Sequence, residues 1–327
     1  MDWTHQTVTV TGAGGFIGSH LTECLVRLGA RTRAFVHYNA DGRRGWLDQS
    51  PVASEVETIA GDVRDPASLQ PAFERVDIVF HLAALIGIPY SYVSPVSYVR
   101  TNIEGTLNVL DAARRVGARH VVHTSTSETY GTARYVPIDE QHAAHGQSPY
   151  AASKIGADQL ALSYFESFAM PVTIVRPFNT FGPRQSPRAV IPAIITQALA
   201  RREVRLGSLT PSRDLTFVAD TVAAFVKAAE SAAAVGETFN VGTGSDIAVG
   251  DLASMILRLV GVELPVVREE QRVRPERSEV WRLVCDASKA RAVLGWRPAL
   301  SLEAGLMETI EWFRACPDAY ATERYHV

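Results

Sequence analysis

The chain has 327 residues, enough for one large or two modest domains and for a core that needs neither disulfides nor a metal staple. Lys and Arg number 32 against 35 Asp and Glu, so the net charge of −3 supplies none of the basic field that nucleic-acid binders use. Apolar residues at 46% and charged ones at 20% exclude a disordered or fibrous chain.

The order of elements begins with Thr7–Val10, a short β-rich run that enters Thr11-Gly12. Ser19–Leu28 then sets Leu21, Cys24, Leu25 and Leu28 on one helical face, which assigns Cys24 to the core. Arg33–Val36, Val56–Ile59 and Asp77–Leu82 read as the second, third and fourth strands. The apolar stretch Leu82–Ile88 is far shorter than the roughly 18–20 residues of a membrane helix. Met1-Asp2-Trp3 carries no basic leader, so no membrane or secretory role is expected. Thr106–Arg115 is an amphipathic helix, and His120–His123 leads a fifth strand into Thr124-Ser125-Thr126. A long helix over Tyr150–Phe168 and a sixth strand over Val172–Arg176 follow. Such alternation predicts the α/β class, with a doubly wound parallel sheet covered on both faces.

Past Pro177 the rhythm breaks, with frequent Pro and Arg, a helix at Ile191–Ala200 and one more sheet strand at Glu237–Val241. The alanine cluster Ala232–Ala234 reads as a helix end. A second, smaller domain is therefore expected to interleave with the sheet. Residues 1–177 plus about 215–250 would form one domain, and about 178–214 plus 251–327 the other. Three scattered cysteines without a CxxC fit a reduced cytoplasmic setting. The nine histidines lack the Cys or carboxylate partners of a zinc site, so no catalytic metal is expected.

Three motifs carry chemistry. Gly12-Ala13-Gly14-Gly15-Phe16-Ile17-Gly18 lies between first strand and first helix. Glycines there allow a tight turn and let backbone approach a pyrophosphate at the helix N-terminus. A bare glycine turn is the plainer reading, but the position before a helix and a second strand favours a dinucleotide. Tyr150 and Lys154 are four apart, so on a helix they share a face. An adjacent ammonium would favour phenolate and lower the Tyr150 pKa, making it a base toward a substrate hydroxyl. Otherwise the two form an exposed surface pair. Thr124-Ser125-Thr126-Ser127-Glu128 stands at the C-terminal end of the fifth strand, the edge where open α/β sheets bind ligands. Glu128 is either a solvated loop residue or a base acting at a second carbon.

Taken together, the glycine turn, Asp62, His81-Leu82-Ala83-Ala84, Asn102-Ile-Glu-Gly105-Thr106, Thr126, Tyr150 and Lys154 resemble an extended short-chain dehydrogenase acting on nucleotide sugars. The similarity continues through Arg176-Pro-Phe-Asn179-Thr-Phe-Gly182-Pro-Arg184, Arg213-Asp214, Asn240-Val-Gly242 and Arg274-Pro-Glu-Arg277. Ser-Thr-Ser-Glu before Xaa-Tyr-Gly is shared by GDP-mannose-type 4,6-dehydratases and UDP-glucuronate decarboxylases. Ile88-Pro-Tyr90-Ser91-Tyr92 and Gln147–Lys154 most resemble dehydratases of the legionaminic-acid type.

The resemblance implies a Rossmann-type fold and transient oxidation at sugar carbon 4. Tyr150 would be the base for the 4-hydroxyl, Thr126 its hydrogen-bond partner, Lys154 a contact to the cofactor ribose and Glu128 the base at carbon 5. Ser127 stands where dTDP-glucose enzymes carry an Asp, so Glu128 itself or a water relayed by Ser127 would be the acid for the leaving hydroxyl. The cofactor would lie on the first of the two domains, along Gly12, Gly14, Gly15, Phe16, Ile17, Gly18, His37, Asn39, Asp62, Val63, Leu82, Ala83, Ala84, Asn102, Thr124, Tyr150, Lys154 and Pro177. The nucleotide sugar would meet Ile88, Tyr90, Ser91, Asn179, Arg184, Arg213 and Arg274. A helix-face salt bridge is the alternative for Arg213 and Arg274, and a turn cap for Asn179. NAD is expected, but Val36 falls where many relatives place a ribose-binding carboxylate, and Arg43 and Arg44 lie nearby, so NADP stays open. A decarboxylase or 4-epimerase is the enzymatic alternative, and an NAD(P)-sensing protein the non-enzymatic one. A homodimer through the helices Thr106–Arg115 and Tyr150–Phe168 is also implied.

Overall fold

The computed structural model describes residues 1–317. In chain order the first half runs β1 (Thr7–Thr11), α1 (Phe16–Arg27), β2 (Arg31–His37), β3 (Glu57–Gly61), α2 (Pro66–Phe73) and β4 (Ile78–His81). It continues through α3 (Ile88–Val93), α4 (Pro95–Tyr98), a wide π-type turn at Val99–Glu104, α5 (Gly105–Arg115), β5 (His120–Thr124), α6 (Pro149–Phe168) and β6 (Val172–Pro177). Helix α1 starts three residues earlier than its apolar spacing suggests, with Gly15 as N-cap. Leu28 consequently falls beyond the last turn and is 40% exposed rather than buried, while Cys24 packs half-buried against the core.

The main sheet has seven strands in the order β3-β2-β1-β4-β5-β6-β10, with β10 at Thr238–Val241, and every neighbouring pair is parallel. Alternation along each strand divides the core into two layers. Val79, Val121 and Ile174 face the layer containing α2, α5 and α6. Phe80, Val122 and Val175 face the opposite layer, where α1 packs against α8 (Val218–Glu230). Strand order reverses between β1 and β4, which is where such sheets open a ligand crevice at their C-terminal edge.

Beyond β6 the chain leaves the main sheet and returns. Strands β7 (Asn179–Phe181), β9 (Ser212–Phe217), β11 (Asp246–Ala248) and β13 (Arg282–Leu283) form a second sheet, and β8 (Val204–Leu206) pairs with β12 (Val266–Arg268). Helices α7 (Val190–Ala200), α9 (Val249–Val260), α10 (Ser288–Leu294) and α11 (Leu302–Ala315) accompany them. Between these pieces α8 and β10 go back to the main sheet, so the two parts alternate along the sequence. Ala232–Ala234 is a separate 3₁₀ turn just after α8.

Candidate active site

The turn from β1 to α1 is glycine-rich by necessity. Gly12 has φ +71°, and a Cβ there would meet the Ala83 amide nitrogen at 2.8 Å. A Cβ on Gly14 would lie 2.4 Å from the Arg44 carbonyl oxygen, and one on Gly18 2.2 Å from that of Gly12. Gly15 caps α1 without a side-chain acceptor, so the amides of Phe16, Ile17 and Gly18 are offered to an incoming anion. Across the switch point, Thr11 Oγ1 accepts from the amides of Leu82 and Ala83 at 3.2 Å each, ahead of Ala84. A cradle of backbone closed to any Cβ, under a helix N-terminus, fits a dinucleotide pyrophosphate.

The adenosine end differs from the sequence reading. Asn39 folds back on its own loop, accepting from Arg43 N at 2.9 Å and donating to Arg43 O at 2.7 Å. Arg43 pairs with Asp41 at 3.7 Å and Arg44 with Asp48 at 3.0 Å, so both candidate cations for a 2′-phosphate already face carboxylates. Exposed His37 ends β2, and Asp62, on the adjoining end of β3, lies 3.9 Å from its ring. Arg64 hydrogen-bonds Asp62 and holds its carboxyl below the usual range. A carboxylate thus stands just past β3, beside the end of β2. Val63 is buried against Gly105.

At the centre, Tyr150 and Lys154 are 7% and 4% exposed, which removes the surface-pair reading. The expected electrostatic relation is not seen. Lys154 Nζ donates to the Thr124 carbonyl at 2.6 Å, while Thr124 Oγ1 is buried without a partner. Burial pushes the Tyr150 phenol well above its usual value, opposed by a hydrogen bond from Thr126, with Glu128 raising it further. Burial also lowers Lys154 to about 8, with Asp158 opposing. Thr126 caps a 3₁₀ turn over Ser127–Tyr130, and its Oγ1 accepts from Glu128 N at 3.3 Å. Ser127 is buried in that turn. The Glu128 side chain is 12% exposed, and its Oε1 stands 3.9 Å from Arg274 Nη1.

Arg274 reaches Glu279 as well, at 3.8 Å, and Arg213 Nη2 meets the same carboxylate at 3.3 Å. Glu128, Arg274, Glu279 and Arg213 therefore alternate in sign, so both arginines stand in salt bridges, the alternative named for them, although neither belongs to a helix. Asn179 opens β7 with Oδ1 buried and unpartnered, next to Pro177 at the end of β6. Ile88 packs with Tyr98 against Tyr150, and Tyr90 is the partly exposed member of that aromatic run.

Three residues expected to meet a ligand spend polar atoms on partners within the protein. Ser91 is fully buried and donates to the Ile88 carbonyl at 2.6 Å. Asn102 commits its amide to Leu85 N, Leu85 O and Ser153 Oγ, so it fixes the segment after β4 on α6. Arg184 pairs with Glu23 at 2.8 Å and donates to Ser19 Oγ at 3.2 Å, tying the loop after β7 to α1. Conversely, Glu279, His123, Asp158 and Arg176 lie in or beneath the site and were not singled out as site residues. For Asp158 the signal existed, because the spacing that joins Tyr150 to Lys154 repeats once more. Among the described residues, no group of three or more His, Cys, Asp or Glu could hold a metal.

This arrangement, a dinucleotide cradle opening onto a buried Tyr, Lys, Thr and Glu, defines an extended short-chain dehydrogenase. The family model described as GDP-mannose 4,6 dehydratase matches residues 9–309. A UDP-glucose 4-epimerase of Mycolicibacterium smegmatis is 34% identical over 93% of this chain and 97% of its own length. A dTDP-glucose 4,6-dehydratase of Streptomyces antibioticus is 33% identical over 94% and 92%. The structure of DesIV, a dTDP-glucose 4,6-dehydratase from Streptomyces venezuelae solved with NAD bound, superposes with TM-score 0.85 at 28% identity, covering 94% of this chain and 97% of that one. The chain belongs to the GDP-mannose 4,6-dehydratase family, within the NAD-dependent epimerase/dehydratase group. Relatives at similar identity perform different reactions, so the particular activity rests on the site.

Proposed function

We propose that the chain is a nucleotide-sugar 4,6-dehydratase that binds NAD and gives a 4-keto-6-deoxy sugar nucleotide. The observation that carries this reading is Glu128, a nearly buried carboxylate beside Tyr150 and within 3.9 Å of Arg274. A plain 4-epimerase needs no base at carbon 5, and a solvated loop residue would not be enclosed. The glycine cradle and the first turn of α1 would hold the cofactor pyrophosphate. Neighbours solved with NAD bound, together with Asp62 beside the end of β2, support NAD as the cofactor.

When bound, NAD supplies hydride acceptance from carbon 4 and its return at carbon 6. Tyr150 takes the proton of the 4-hydroxyl, with Thr126 holding that oxygen. The raised phenol pKa describes burial among apolar and anionic neighbours, and a positive charge brought close to the ring would lower it. Lys154 would meet the nicotinamide ribose. The resulting ketone acidifies carbon 5, Glu128 removes that proton, and the 6-hydroxyl leaves as water, protonated by Glu128 or through Ser127; carbon 5 regains a proton from Glu128, exchanged with solvent, as carbon 6 is reduced. Arg213 and Arg274 would bind the diphosphate, for which planar guanidinium is suited.

The test is a panel of UDP-, GDP-, dTDP- and CDP-sugars run in deuterated water, with products read by mass and NMR. Loss of one water with deuterium at carbon 5 is expected. Loss of carbon dioxide would indicate the decarboxylase, and an unchanged mass with inverted carbon 4 the epimerase. Either result would remove the present reading.

A further inference from the structure

Arg274 stands on a turn whose own bonds do not place it against α6. This turn lies between Glu270–Arg272 and β13, with Pro275, Glu276 and Arg277 exposed. Ser278 N donates to Pro275 O at 2.8 Å, and Glu279 N reaches Pro275 O at 3.1 Å and Glu276 O at 3.2 Å. Those bonds only curl the turn upon itself. Three others carry it across to the first half of the chain. Ser278 Oγ donates to Gln147 O at 2.8 Å and lies 2.6 Å from Tyr92 Oη. Gln147 Nε2 donates to Arg277 O at 2.9 Å.

A serine hydroxyl has one proton, and Gln147 O takes it, so the Tyr92 phenol donates to Ser278 Oγ. Ser278 thus spends donor and acceptor on two separate elements. Tyr92 belongs to α3, whose Ile88 packs against Tyr150. Gln147 directly precedes Ser148, the N-cap of α6. Its Oε1 accepts from Thr132 N, in the loop after the 3₁₀ turn that bears Glu128. One amide therefore links the Glu128 side of the pocket to the turn bearing Arg274. Arg274 Nη1 is buried without a hydrogen-bond acceptor, with Glu128 at 3.9 Å and Glu279 at 3.8 Å. Neither carboxylate bonds that nitrogen, so the backbone beneath Arg274 fixes where it stands, and Ser278 holds that backbone.

We propose that Tyr92, Gln147 and Ser278 form a clasp that positions Arg274 for the diphosphate of the nucleotide sugar. The inference rests on the reading of Arg274 as a diphosphate contact, but not on which reaction follows. Ser278 and Tyr92 are positioning residues that act through Arg274. With the clasp open, the exposed turn carries Arg274 out of register with Arg213, and nucleotide affinity falls while the cofactor cradle is untouched.

Calorimetric titration of UDP, GDP, dTDP and CDP into the NAD-loaded enzyme tests this without turnover, and the tightest binder then serves for the variants. Ser278→Ala should weaken that nucleotide about tenfold, the loss expected for two hydrogen bonds. Tyr92→Phe, which removes one of them, should weaken it about threefold, and it decides the matter if Ser278→Ala does not fold. Ser278→Thr keeps the hydroxyl and should restore most of the affinity. NADH binding, followed by fluorescence, should be the same in all three. Arg274→Ala combined with Ser278→Ala should bind no more weakly than Arg274→Ala alone, because one effect runs through the other, whereas a packing defect would add its own loss. Unchanged affinity in Ser278→Ala and Tyr92→Phe beside a loss in Arg274→Ala, or two losses that multiply, overturns the clasp alone. Wild-type affinity in Arg274→Ala overturns the diphosphate reading of Arg274 together with it. A wild type that binds none of the four nucleotides removes the clasp and the nucleotide-sugar reading at once.

Discussion

Lys154→Met separates what this lysine does for function from what it costs the fold. The side chain is 4% exposed, and burial lowers its pKa from 10.5 to about 8. The unfolded chain holds the proton more tightly, so stability is diminished below the folded value and recovered as pH rises from about 8 toward 10.5. The gap of 10.5 less about 8 corresponds to roughly 3 kcal/mol at neutral pH. Met has similar length and no charge, but it leaves the Thr124 carbonyl without its donor, at a cost of about 1 kcal/mol. A net gain of about 1–2 kcal/mol is expected for the variant near pH 7, vanishing toward pH ~10. Urea unfolding of both proteins without added nucleotide, at neutral and alkaline pH, measures it. A variant less stable than wild type near pH 7, or a difference independent of pH, would refute the reasoning. The same variant should lose turnover, the usual trade between stability and a charged buried site.

Further outcomes follow from the same geometry. Glu128→Gln keeps size and hydrogen bonding but cannot take a proton, so dehydration should fall about 10²–10⁴-fold while reduced cofactor accumulates, seen by its absorbance. Tyr150→Phe should abolish oxidation at carbon 4 yet leave NAD affinity nearly unchanged in a binding titration. Arg184→Ala should cost about 1–3 kcal/mol of stability by breaking the ion pair with Glu23, without raising KM for the nucleotide sugar. Helices α5 and α6, proposed as the contact of a homodimer, carry partly exposed Leu107 and Phe168, and light scattering at micromolar concentration should give twice the monomer mass.

How much of this was legible in the sequence depends on how local the determining interactions are. Strand order and the crevice follow from β–α alternation, and each strand of the main sheet lies within a few residues of its apolar run. The boundary of α1 moved because Gly15 can cap a helix where spacing alone begins at Ser19. Motifs gave residue types but not their partners. Arg184 and Asn102 sit in runs that resemble ligand-binding segments, yet Glu23 and Leu85, distant in sequence, take up their polar atoms. The same non-locality misled the electrostatics of Tyr150, since four-residue spacing places an ammonium on its face but says nothing of the Thr124 carbonyl that draws it away.

Asp158 is legible in the sequence only in part, for a related reason. Its spacing marks the face, but its meaning depends on Arg176 of β6 and on Ser125, just past β5. Whether a buried carboxylate serves stability or chemistry is decided by its partners. Here Ser125 and Arg176 tie Asp158 to the ends of β5 and β6, so its first task is to hold α6 on the sheet.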